Sequence, residues 1–191
     1  MRIVAGAWRG RALTAPAGSV TRPTADRVRQ ALFDMLLHAS WGGRSCVEGA
    51  VVLDVFAGTG AMGLEALSRG AERAVFVERD RAALTTLRGN IAACRAGDRS
   101  EVLGYDLEKV GAGRAASLVF LDPPYGRGLV PLALVHLRAV GRIAPEALVV
   151  AELGRDEAGL DVELLAERAH GAARLCIWRE RRAQRHFGCT R

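Results

Sequence analysis

The sequence predicts an α/β fold built on a mostly parallel sheet with helices on both faces. Three observations carry that reading. From Ala50 onward, short and continuously apolar runs alternate with helical stretches, the pattern of strands buried on both sides. A glycine-rich turn follows the first of those runs and opens a helix. The 191 residues are 50% hydrophobic and 25% charged, a length and balance that suit one domain with a full core and exclude a disordered chain.

The elements follow in order. Two short stretches, Arg2 to Gly6 and Arg11 to Ala15, flank Gly10 and predict an N-terminal β-hairpin, with so few apolar residues that it is expected to project. After the loop from Pro16 to Pro23, Thr24 can cap a helix whose apolar residues Val28, Ala31, Leu32, Met35 and Leu36 share one face, ending near His38. Val51 to Phe56, Ala74 to Val77, Glu101 to Leu103, Leu118 to Leu121 and Leu148 to Ala151 read as strands, with helices near 61–69, 81–94 and 128–139. Val162 to Arg168 and Arg174 to Arg179 form a final antiparallel pair.

The net charge of +6 is lopsided. It divides into +5 over residues 1–45, −4 over the middle and +5 over residues 174–191, and all but one of the 27 basic residues are arginine. Segregated arginine is the footprint of a nucleic-acid binder, since guanidinium groups neutralise and fork onto phosphates; a genome that favours arginine accounts for the scarcity of lysine. Cys46, Cys94, Cys176 and Cys189 lie far apart and form neither a disulfide framework nor a metal cluster. The start lacks the apolar stretch of a signal peptide, and no run of about 18 apolar residues exists to span a bilayer. We expect a cytoplasmic protein with no metal and no membrane partner.

The turn from Asp54 to Gly63 places a G-x-G-x-x-G between strand and helix, with Gly58, Gly60 and Gly63 as its glycines. Nicotinamide, flavin and S-adenosylmethionine (SAM) enzymes all use such a turn. Glu78 ends the second strand 20 residues after Gly58, where a carboxylate can accept hydrogen bonds from two ribose hydroxyls. Asp54 lies inside an apolar strand and has to accept either from backbone N–H groups of the turn or from a cationic ligand group. Asp122-Pro123-Pro124-Tyr125 follows another apolar strand, at the sheet end where ligands bind in open α/β folds. Methyl transfer to a planar exocyclic amine requires such a group. A carboxylate and a proline carbonyl, both accepting from the amino group, turn its lone pair out of the ring conjugation, while an aromatic ring stacks on the base.

These residues carry a resemblance. Arg2-Ile3-Val4 with Trp8-Arg9-Gly10-Arg11, Arg22-Pro23-Thr24 with Asp26-Arg27-Val28-Arg29, the block Asp54 to Ala71, and Asp122 to Tyr125 resemble the bacterial 16S rRNA guanine-N2 methyltransferase family called RsmD, which methylates guanine 966. The similarity runs from about Arg2 to Arg179. It implies a seven-stranded Rossmann-like SAM-dependent methyltransferase domain over 24–191 and an RNA-engaging hairpin and loop over 1–23, in a protein expected to be monomeric and to act on the small ribosomal subunit. It also implies that Phe56, Ala57, Gly58, Thr59 and Gly60 contact SAM, Glu78 its ribose and Asp106 its adenine, with Asp122, Pro123, Pro124 and Tyr125 holding the guanine. Thr24 and Arg27 are expected at the cofactor's methionine end, and Arg2, Trp8, Arg9, Arg11 and Arg22 on RNA. Ala5 and Gln30 depart from the family pattern, which usually has glycine and glutamate there, and the match fades past His170. Three alternatives stay open: an adenine-N6 methyltransferase on DNA or RNA, a non-catalytic RNA-binding or assembly protein on the same fold, and an NAD(P) oxidoreductase.

Overall fold

The continuously apolar strands at the centre of the sheet are buried on both faces, which helices cover. The structure, a computed structural model, describes residues 1–15 and 23–181, with only the backbone at 23–25. Seven strands, β1 Val51–Val55, β2 Arg73–Val77, β3 Ser100–Leu103, β4 Ala116–Leu121, β5 Ile143–Gly154, β6 Leu164–His170 and β7 Ala173–Arg179, form one sheet in the order β3-β2-β1-β4-β5-β7-β6. The first five are parallel. β7 runs antiparallel to both β5 and β6, between which it is inserted. Among the described residues no helix is long and apolar enough to cross a membrane.

The α-helices among the described residues are α1 Pro23–His38, α2 Ala61–Ser68, α3 Arg81–Ala93 and α4 Leu129–Ala139. Phe33, Leu64 and Leu87 bring α1, α2 and α3 onto one face against Val52, Phe76 and Phe120. Ala133, Leu134 and Leu137 of α4 cover the other, against Leu53, Val119 and Val149. Helix α1 begins at Pro23, two residues ahead of the start at Ala25 that a Thr24 cap implies, so Thr24 lies in its first turn instead of capping it. Proline suits that first position because its φ is preset and its missing N–H is not needed there. Strand β5 is longer than its apolar run, because a register shift against β4 between Ala116 and Leu118, with Glu146 at φ 64°, carries the strand past the interruption at Pro145.

The leader corrects the expectation of a projecting hairpin. Its pairing is one isolated antiparallel bridge, Arg2 to Ala12, and Ile3 and Leu13 are buried in the core. The reason lies in α2. Glu65, fully buried, accepts the backbone N–H groups of Val4 (2.8 Å) and Ala5 (3.0 Å), and Ser68 Oγ accepts that of Trp8 (2.9 Å). At Gly6, with φ 80°, an added Cβ would lie 1.9 Å from the Ser68 carbonyl oxygen, so only glycine permits this approach. Arg29, 4% exposed, donates to Glu65 (3.4 Å), Asp26 (2.8 Å) and the Arg2 carbonyl (2.5 Å), tying α1 to leader and α2. Asn90 of α3 accepts from Thr14 N–H (2.8 Å) and donates to the carbonyls of Thr14 and Thr59 (3.0 Å each), joining the leader to the glycine turn.

Candidate active site

Strand order reverses between β1 and β4, and in open parallel sheets the crevice outside the carboxyl ends at such a point receives ligands. A cleft of about 1240 Å³ opens there. Phe56, Glu78, Asp106 and the run Asp122 to Tyr125 all line it, although they come from the ends of four strands. Phe56 leaves β1 at φ 62°, a left-handed backbone that a bulky residue adopts at a cost.

The glycine turn is held from below. Asp54, 3% exposed, accepts the Gly63 N–H at 2.9 Å. A Cβ at Gly63 would lie 2.4 Å from the Phe76 ring, so glycine is what lets α2 start this close to the sheet. Burial pushes the Asp54 carboxyl up to about 8, with the charges of Asp122 and Glu78 adding to the rise and the Gly63 N–H opposing it. Of the two alternatives for Asp54, the structure displays the backbone one. Glu78 accepts the Gly58 N–H through one oxygen and those of Arg79 and Asp80 through the other, each at 2.8 Å. The carboxylate is thereby fixed at the cleft wall with lone pairs left for a ligand. Asp106 pairs with Arg79 at 3.1 Å.

Asp122 opens into the cleft while protein atoms crowd it from behind. That desolvation, with the charge of Glu152, pushes its carboxyl up to about 7. Tyr125 is 46% exposed and its hydroxyl donates to Glu152; desolvation of that hydroxyl, then the bond to Glu152, drives its pKa upward. Glu157 accepts the N–H groups of Gly126 (2.5 Å) and Gly154 (2.7 Å), clamping the Asp-Pro-Pro-Tyr loop to the end of β5.

Other expected site residues fall elsewhere. Thr59 directs its hydroxyl to Met1 Sδ at 3.8 Å, toward the leader. Arg27 stands exposed on α1 without a partner among the described residues and does not line the cleft. The Thr24 side chain and Arg22 lie outside the described residues. Arg2 and Arg9 are exposed, whereas Arg11 donates to the Ala93 carbonyl and Trp8 packs under the Arg99 guanidinium at 5.1 Å. Sequence reasoning missed Tyr105 and Arg127 in the cleft wall, and Glu152 and Glu157, which accept hydrogen bonds from Tyr125 and Gly126 of the loop. Glu152 carried a usable signal: like Glu78 and Asp122, it is an acidic residue closing an apolar run.

A sheet of this order, with a glycine turn after β1, an acid ending β2 and Asp-Pro-Pro-Tyr ending β4, defines a Rossmann-like methyltransferase fold. An RNA methyltransferase from Salinibacter ruber, in complex with S-adenosyl-L-homocysteine, shares that fold at TM-score 0.57 and 19% identity, over 86% of this chain and 95% of that one. The chain belongs to the family described as Conserved hypothetical protein 95, which matches residues 1–179 and is the RsmD family. It is 40% identical over 156 residues to ribosomal RNA small subunit methyltransferase D of Escherichia coli K12, covering 80% of this chain and 74% of that one. A solved Escherichia coli structure superposes at TM-score 0.81 with 35% identity, over 95% and 98% of the two chains.

Proposed function

We propose that this protein transfers the methyl group of SAM to the exocyclic N2 of guanine 966 in 16S rRNA, on a small-subunit particle. Residues 1–23 serve as the RNA-engaging leader and 24–191 as the methyltransferase domain. The observation that carries the proposal is that Asp122 to Tyr125 share one cleft with Phe56, Glu78 and Asp106. An amine-holding loop thus faces a nucleoside-type site.

The residues present fit the cofactor. The charges of Asp122 and Glu78 add to the rise that burial gives the Asp54 carboxyl, and a sulfonium and ammonium group relieves that repulsion. A Cβ at Gly58 would meet only the Phe56 carbonyl, at 3.9 Å, so the turn leaves open space on its ligand side. The cleft exceeds the roughly 300–1,000 Å³ of ordinary small-molecule pockets, leaving room for a base beside the cofactor.

When bound, SAM supplies an electrophilic methyl on a good leaving group. Asp122 and the Pro123 carbonyl accept from the guanine amino group and aim its lone pair in line with that methyl. Tyr125, its ring tethered by Glu152, stacks on a base taken out of any helix. Asp122 takes the proton that N2 gives up after transfer. An NAD(P) dehydrogenase has no use for the Asp-Pro-Pro-Tyr loop, and a binding assay of SAM against NADH separates that reading.

The test is radiolabelled methyl transfer to 30S particles from a strain lacking the enzyme, with the modified base mapped. Label on guanine N2 is expected, and Asp122→Ala is expected to lower transfer by about 100-fold or more while the protein stays folded. Label on adenine, or undiminished transfer by the variant, defeats the proposal.

A further inference from the structure

Ala151 of β5 pairs in register with Leu121 of β4, so the next residues, Glu152 within β5 and Asp122 just past β4, stand side by side. One Glu152 oxygen accepts the Tyr125 hydroxyl. The other has no hydrogen-bond partner among the described residues, and Glu152 pairs with no cation among them. Glu157 separately fastens Gly126 to Gly154, so Glu152 bears only the Tyr125 end of the loop. Two carboxylates left together beside a half-exposed aromatic ring repel each other, and the charge of Glu152 adds to the rise that desolvation gives Asp122. A base edge rich in N–H donors relieves that repulsion, and an edge bearing a ring-nitrogen acceptor adds to it.

Guanine presents donors at adjacent positions, N1–H and the N2 amino group. Adenine places an acceptor at N1 beside its amino group, and that lone pair would face a carboxylate. Resting on the guanine-N2 reading above, we infer that Glu152 is the residue that selects the base: its free oxygen accepts guanine N1–H while Asp122 holds the N2 amino group. The tether from Tyr125 orients Glu152 for that contact and couples base stacking to base selection.

The experiment compares methyl transfer to reconstituted particles whose RNA carries guanine or 2-aminopurine at the accepting position. 2-Aminopurine keeps the N2 amino group but has an acceptor at N1. Wild-type protein is expected to prefer guanine by at least about tenfold in kcat/KM. Glu152→Gln, whose amide can donate to an N1 acceptor, is expected to shrink that preference by about tenfold or more, with SAM affinity unchanged. Equal loss on both substrates, or an unmoved ratio, overturns the assignment, because a structural role would not discriminate between them. If the Gln variant does not fold, Tyr125→Phe, which frees Glu152 while keeping the stacking ring, is expected to lower the ratio by a smaller factor; an unmoved ratio there also counts against it. Wild-type label on adenine brings down the guanine-N2 reading and this assignment together. Guanine product with an unmoved ratio brings down this assignment alone.

Discussion

At the scale of single residues, Gly63 and Asp122 do the most with the fewest atoms. Gly63 offers its N–H to Asp54 and its missing side chain to the Phe76 ring. Gly63→Ala is expected to cost roughly 1–3 kcal/mol, as an overpacked core position does, and to weaken SAM binding because the turn shifts with α2; chemical denaturation and calorimetric titration measure the two. Asp122 has to be ionised to receive the guanine amino protons, and its carboxyl stands at about 7. Methyl transfer is therefore expected to rise with pH through about 7 and then level off. In Asp122→Asn, which keeps an acceptor oxygen but cannot titrate, that limb is expected to vanish. These residues were legible in the sequence because each ends or follows an apolar run. Glu152 obeys the same rule, but its partner Tyr125 lies 27 positions away, a pairing only the β4–β5 register reveals.

At the scale of elements, the leader teaches the most. Its sequence reads as a short polar hairpin because what buries it, Glu65 and Ser68 of α2 and Asn90 of α3, lies some 60 to 76 residues further on. Local periodicity carries no trace of such long-range polar anchors, whereas the strands of the sheet announce themselves by their own composition. Glu65→Gln is expected to cost about 3–5 kcal/mol, since it strips the charge partner from the buried Arg69 guanidinium and leaves Arg29 with Asp26 alone; urea denaturation reads this directly. The arginines of the leader also divide. Arg9→Glu changes an exposed residue without a partner among the described residues. It is expected to weaken RNA methylation and flatten its salt dependence while SAM affinity holds. Arg11→Glu, which also breaks the contact with the Ala93 carbonyl, is expected to lower the melting temperature as well.

At the scale of the whole molecule, the acidic centre sets how stability varies with pH. Asp54 and Asp122 both rise from 3.8, to about 8 and about 7, so between those values the folded chain holds protons that the unfolded chain has lost. Stability of the cofactor-free protein is accordingly expected to fall as pH increases from about 4 to about 8 through these two groups. SAM, bringing positive charge to the ionised groups, is expected to raise the melting temperature more at pH 8 than at pH 6. Thermal scans at the two values, with and without ligand, decide it. Charge along the sequence already hinted at this division, with basic ends and an acidic middle. What it could not convey is that the middle's carboxylates converge from separate strands.

The placement of β7 between β5 and β6 bears on how the chain comes to be assembled. As the polypeptide leaves the ribosome, β6 emerges first yet has no strand to pair with, because among the described residues its neighbour in the sheet is the one synthesised after it. The open edge of β5 waits as well. Closing the sheet is thus left to residues 173–179, and until they arrive the nascent protein exposes an apolar strand edge of the kind that recruits chaperones.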